Sequence, residues 1–294
     1  MKKLIPFLTL LLFVASCAND TDVSLGGTKA VAFSAESIAQ PTKVNGTSWN
    51  KGDAIGITMF SGSDQSVIYD NIEYTATSDG TNVSFNPVLE TILYPQDGSA
   101  VDFKAYYPYQ EGFGYEDGSM IFDISAQDGT LEAQSKVDLL ESAASAKVDG
   151  DAVSFQFTHS LSKVQITVSN IELGSAFANF SALTATLYTS RTQYDMLEGT
   201  IVSGGATKEL VMVASSNDGE TALFTAIIAP GTMSDEIIFN DGTSYYTTSL
   251  AIESAEANKQ YNYTLKLSPT ELVLDGITIG EWGSSAYTST GTAK

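Results

Sequence analysis

The chain has 294 residues and a formal net charge of −21, with 35 Asp and Glu against 14 Lys and Arg. That balance argues against nucleic acid as a partner and against flat docking on anionic lipid, since both need clusters of Lys and Arg. A single cysteine excludes a disulfide within the chain, and a single histidine leaves few catalytic options.

In chain order, Lys2 and Lys3 precede an apolar run from Leu4 to Val14. The run is shorter than the roughly 20 residues a helix needs to cross a hydrocarbon core. Residues 1–16 are therefore expected to be a secretion signal. Val14-Ala15-Ser16-Cys17 is similar to the lipobox of bacterial lipoproteins, and that likeness implies that Cys17 is lipidated and becomes the first residue of the mature chain. The expected location is a membrane surface, reached through acyl chains.

Residues 30–37 can form a strand with Val31, Phe33 and Ala35 on one face. A loop with an accessible Lys43 follows. Further strands are expected at 54–60, 101–107, 153–169, 222–229, 236–240 and 260–267, all rich in Val, Ile, Phe, Tyr and Thr. Asp-Gly pairs, such as those at Asp79, Asp97, Asp149 and Asp241, supply hairpin turns between them. Tyr261, Tyr263, Leu265 and Leu267 share one face of the last of these strands. This spacing, without a long 3.6-residue period, predicts an all-β sandwich architecture.

Along 153–169 the apolar positions change parity, from Val153, Phe155, Phe157, His159 and Leu161 to Val164, Ile166 and Val168. A period of two cannot change parity without an extra residue, so a bulge or bend is expected at Ser162-Lys163. His159 is expected to face the core, hydrogen-bonded to backbone. One segment, 134–148, reads as a short helix. It lacks Gly and Pro, opens with Ser135 three residues before Asp138, and carries Leu139, Leu140, Ala143 and Ala144. Val148-Asp149-Gly150-Asp151 is the expected border between two domains.

No chemistry is advertised. There is no HExxH helix, no G-x-S-x-G elbow, no phosphate-binding glycine loop and no EF-hand spacing around Asp149 and Asp151. Neither cofactor nor metal is expected, and the chain is not expected to be an enzyme. The aromatic cluster Tyr106, Tyr107, Tyr109, Phe113 and Tyr115 fits the core and rim of a sandwich, or alternatively an exposed platform for sugar rings.

Four stretches resemble the fimbrillin family of Bacteroidetes surface proteins. Trp49-Asn50-Lys51-Gly52-Asp53-Ala54-Ile55-Gly56 is similar to its W-x-x-G-D-x-I-G pattern, and residues 101–109, VDFKAYYPY, to V-x-F-x-A-Y-Y-P-Y. Phe157-Thr158-His159-Ser160-Leu161-Ser162-Lys163 resembles F-x-H-x-L-S-K. Tyr261-Asn262-Tyr263 followed by Gly280-Glu281-Trp282 completes the series.

The resemblance implies two tandem transthyretin-like β-sandwich domains with one short helix, over 44–148 and 149–294. It further implies a lipidated segment, 17–43, whose first strand is removable and completes the first sandwich before processing. In that reading a trypsin-like protease cuts after Lys43, or at a second candidate, Lys29. The vacated slot then takes a strand from another fimbrillin subunit, building a surface fimbria anchored at the outer membrane by lipid. Residues 283–294 are mostly polar and make a poor donor strand. The competing reading is a glycan-binding surface lipoprotein using exposed aromatics such as Trp49 or the cluster around Tyr106.

Overall fold

The computed structural model describes residues 29–36, 48–116, 118, 120–170, 179–202, 205–267, 272–282 and 289–291. Its secondary structure is almost entirely strand, as the turn chemistry predicts. In the first half these are β1 (Ala32–Glu36), β2 (Ala54–Ser61), β3 (Val67–Ala76), β4 (Asn82–Pro87), β5 (Val101–Tyr107), β6 (Ile121–Asp123), β7 (Leu140–Lys147), β8 (Ala152–Gln156) and β9 (Thr158–His159). One helical segment, α1 (Leu131–Lys136), lies between β6 and β7.

All but β6 join one sheet in the order β8-β1-β4-β3-β2-β5-β7-β9. Its two outer strands, β8 and β9, are separated in sequence by Phe157 alone. A sheet whose ends are so tied must curl round on itself, and its concave face closes over one apolar cluster. That cluster holds Trp49, Ile55, Ile57, Phe103, Phe155 and Phe157, with Val31, Phe33 and Ala35 of the first strand.

Two glycines of the W-x-x-G-D-x-I-G stretch have identifiable reasons. Gly52 turns with φ +91°, a conformation that side chains resist. Gly56 lies mid-strand, where an added Cβ would sit 2.4 Å from the Tyr106 ring and 2.5 Å from Asn71 Oδ1. Those two groups are themselves joined, the Tyr106 hydroxyl donating to Asn71 Oδ1 at 2.7 Å. Gly56→Ala is therefore expected to cost about 1–3 kcal/mol through overpacking, measurable as a lower urea midpoint with an unchanged m-value.

The remaining strands are β10 (Ser162–Asn170), β11 (Thr184–Thr189), β12 (Gln193–Asp195), β13 (Thr200–Ile201), β14 (Lys208–Val211), β15 (Val213–Asn217), β16 (Thr221–Ile228), β17 (Gly231–Asn240), β18 (Tyr245–Ala255), β19 (Lys259–Leu267), β20 (Leu272–Glu281) and β21 (Ser289–Gly291). They form a sheet β15-β16-β10-β19-β20-β21 and a second, β14-β11-β17-β18. The two share a core in which Ile166, Phe224, Tyr261, Tyr263 and Leu265 meet Leu187, Ile237, Phe239 and Leu250. A small sheet, β13-β12-β6, helps enclose a third cluster containing Tyr106, Phe122, Leu139, Leu161, Ile227 and Trp282.

Two expectations need correction. The helix expected over 134–148 is confined to Leu131–Lys136 and capped by Thr130, whose hydroxyl accepts from Ala133 N–H at 3.1 Å. Leu140–Lys147 is strand instead, because pairing with β5 along one flank overrides the helix preference of its alanines. The parity change lies at Leu161-Ser162, where both residues are fully buried. It is a passage between sheets and not a bulge at Ser162-Lys163: β9 pairs with β7, and β10 pairs with β16 and β19. Beyond Asp149-Gly150 the chain continues into β8 and β9, which pair within the first sheet. Residues 289–291 of the C-terminal tail add an edge strand to β20 through Ile277–Ile279.

Candidate functional site: the slot of the first strand

The alternation that marks residues 30–37 as a strand also decides how β1 sits. Val31, Phe33 and Ala35 are buried, while Ala32 and Glu36 are exposed and Ser34 is half-buried. Although it begins the described chain, β1 is an interior strand of the sheet. It runs antiparallel to β4, with Phe33 opposite Phe85 and Ala35 opposite Val83. On its other flank it runs parallel to β8, with Phe33 opposite Val153 and Ala35 opposite Phe155. Among the described residues β8 has no neighbour in the sheet other than β1.

Phe33 is the anchor. Its ring meets Tyr74 edge-on at 5.0 Å and Phe103 edge-on at 5.3 Å, and stacks on Phe155 at 5.7 Å. Upstream, Val31 N–H donates to Ile92 C=O at 3.0 Å, and Tyr94 N–H donates to Lys29 C=O at 3.0 Å. Emptying this position would leave the facing ladders of β4 and β8 unpaired beside a vacated apolar pocket, which is a template for strand addition.

Of the residues singled out in the sequence, Val31, Phe33 and Ala35 come together in this slot. Lys29 precedes it and is exposed. Cys17 and Lys43 lie outside the described residues. Trp49 is buried, edge-on to Phe85, Tyr107 and Phe157, and offers no exposed platform for sugar. Tyr106 is buried as well, with Tyr107, Tyr109, Phe113 and Tyr115 half-buried around it.

A second, polar grouping was not foreseen. His159 is buried, as expected, and its Nδ1 lies 2.7 Å from Asp138 Oδ1, a carboxylate partner that the local sequence does not reveal. Its ring stacks on Trp282 at 3.8 Å with planes 1° apart. Asp138 Oδ2 is buried with no hydrogen-bond partner among the described residues. Burial pushes the Lys163 ammonium below its ordinary value, only partly offset by the Asp138 charge. No local sequence signal joins Asp138, His159 and Trp282; the fold alone brings them together. Among the described residues no group of three or more His, Cys, Asp or Glu could hold a metal ion. Nor is any described helix long and apolar enough to cross a membrane.

Beside this grouping, Glu141 accepts a short hydrogen bond from the Ser160 hydroxyl. Burial raises its carboxyl above the ordinary value of 4.5, against the opposing pull of Ser160 and Lys104. The folded chain thus holds a proton that the unfolded chain releases. Its contribution to stability falls as pH rises from about 4.5 through the raised folded value. Glu141→Gln removes that dependence, so the variant should gain on the parent as pH increases over that window. Urea titrations of both proteins at several pH values check the sign.

The sequence profile of the fimbrillin-like family matches residues 42–282. The chain belongs to the fimbrillin-like family. A relative from Bacteroides uniformis named fimbrium subunit Fim1C is 30% identical over 290 residues, covering 91% of each chain. A solved cell adhesion protein from the same species is 27% identical with a TM-score of 0.67, covering 86% of this chain and 98% of that one. Another, from Bacteroides ovatus, shares the fold at a TM-score of 0.69 and 18% identity, covering 88% of this chain and all of its own, 100%. For this fimbrillin-like chain the resemblance seen in the motifs thus extends over most of its length. The family is one of structural fimbrial subunits at the cell surface.

Proposed function

We propose that this chain is a fimbrial subunit that polymerises by strand exchange at the β1 slot. In this reading the precursor reaches the outer membrane as a lipoprotein through Cys17, and proteolysis after Lys43 detaches the segment carrying β1. A strand from a neighbouring subunit then enters, antiparallel to β4 and parallel to β8. The observation that carries the reading is the interior position of β1, with Phe33 packed against residues of three other strands. Burying its three inward side chains contributes about 1.5–3 kcal/mol for each large one, before ordering costs, so a replacement strand with similar anchors would hold firmly.

The slot also favours Lys43 over Lys29 as the cut site. Cleavage after Lys29 leaves Val31, Phe33 and Ala35 attached and seated, whereas cleavage after Lys43 separates the whole of β1 from the downstream chain. We further propose that the chain divides into two β-sandwich domains, with the border at Ser160-Leu161, where the strand path leaves the first sheet.

Limited trypsin digestion with N-terminal sequencing and size-exclusion chromatography tests the assembly. The expected result is a new N-terminus at Val44, loss of residues 29–36 from the product, and oligomers that Lys43→Gln abolishes. A product that keeps β1, or one that loses it and stays monomeric, would overturn the reading.

A further inference from the structure

A cleft of about 390 Å³ opens on the outer face of β5, β7 and β9, within the range of small-ligand sites. Ladder register explains its floor. Lys104 stands opposite Ala143 and Tyr106 opposite Glu141 across β5 and β7, and Glu141 stands opposite Thr158 on β9. Alternation therefore puts Lys104, Tyr106, Glu141 and Ala143 on one face, away from the core that holds Phe103. Tyr115, Tyr194 and Met196 line the cleft from the elements packed over this face.

Its polar groups are incompletely used. Among the described residues the hydroxyls of Tyr115 and Tyr194 have no hydrogen-bond partner, and neither oxygen is fully buried. Burial raises both phenols, Tyr194 to about 12, and the nearby Glu141 charge adds to the shift of each. Among the described residues Lys104 Nζ makes no ion pair and rests over the Tyr115 ring at 4.9 Å and the Phe60 ring at 5.6 Å. A carboxyl, a serine hydroxyl, two free phenols and an ammonium thus converge on one space walled by aromatic rings.

That combination selects a ligand by chemistry. Acceptors and donors set a few ångströms apart, with ring faces beside them, match a molecule bearing several hydroxyls and one C–H face. One cation and one carboxyl in the same cleft offset each other, so the preferred ligand carries no net charge. We propose that this cleft binds a neutral hexose residue, with Glu141, Ser160 and Tyr194 engaging its hydroxyls and Tyr115 lying against its apolar face. This deepens the surface-subunit reading by naming what the subunit would hold, and rests on that reading for its biological setting.

The test is saturation-transfer difference NMR of the full-length chain with D-glucose, D-galactose, D-mannose and N-acetyl-D-glucosamine, each at about 20 mM, well above a weak millimolar Kd. At least one sugar is expected to show transfer, and Tyr194→Phe and Glu141→Gln should each weaken it about fivefold or more, the scale of one lost hydrogen bond. Tyr115→Ala, which removes the ring face from an irregular segment and should weaken transfer likewise, is the further variant if either of those fails to fold. Silence from all four sugars overturns the proposal, as does transfer that survives these substitutions unchanged. Either failure leaves strand exchange untouched, because that is read from oligomer size after trypsin and needs no sugar.

Discussion

Replacing Phe33 by alanine is expected to lower the unfolding free energy by about 3–5 kcal/mol, a large fraction of the stability of an ordinary domain. The ring is 3% exposed and lies between Tyr74, Phe103 and Phe155, so truncation removes apolar burial and leaves a cavity that three fixed strands cannot close. The edge-on geometries add about 0.5–1.5 kcal/mol per pair beyond area alone. Val31→Ala should cost less, since a smaller side chain is lost from the end of the same strand. Urea unfolding monitored through the two tryptophans, Trp49 and Trp282, measures the loss. The same substitution should hasten departure of β1 after trypsin, since the anchor that retains it is gone. A loss below about 1 kcal/mol would place Phe33 among ordinary surface changes and remove the physical basis for a sealed slot.

How much of this was legible in the sequence depends on the range over which each signal acts. The seat of Phe33 was visible because alternation at Val31, Phe33 and Ala35 is local. Its neighbours β4 and β8 were not, because strand pairing at long range leaves no mark in either segment. Ser34 Oγ bonds to Val153 C=O across 119 residues of sequence. The alanines of β7 show the opposite failure. Their local preference is for helix, but a flank of β5 was free to pair, and tertiary pairing prevailed. A signal for the true helix was present in Asp128-Gly129-Thr130, where Asp128 Oδ1 accepts from Thr130 N–H at 2.9 Å and Thr130 caps the helix. The Asp149-Gly150 turn was legible because Asp-Gly chemistry acts over two residues. His159 was placed in the core by its neighbours' parity. Asp138, 21 residues earlier, and Trp282, just past the last long strand, could be assigned to it only by the fold.

Trp282→Ala should cost about 3–5 kcal/mol as well, for a different reason. Trp282 closes the chain's last long strand, its backbone N–H donating to Asn258 C=O at 2.9 Å. Its ring, 1% exposed, enters the cluster that also holds Leu139 and Leu161 from either side of the first sheet's end. Loss of the indole therefore loosens two regions at once: the end of β20, and His159, whose opposite face is no longer held. His159→Ala removes the same stack from the other side and leaves Asp138 with neither oxygen partnered among the described residues, a cost of about 1–3 kcal/mol for the stranded acceptor. Since both single variants destroy one contact, the double variant should lose less than the sum of the two, by about 0.5–3 kcal/mol. Urea unfolding of the four proteins yields that coupling directly. Additivity within about 0.5 kcal/mol would mean that the ring stack contributes nothing and that Trp282 acts only by filling volume. A clear coupling would instead make the His159–Trp282 stack the tie between the C-terminal strand and the first sheet. In a filament that exchanges strands at β1, such a tie would keep the rest of the subunit fixed while its first strand is replaced.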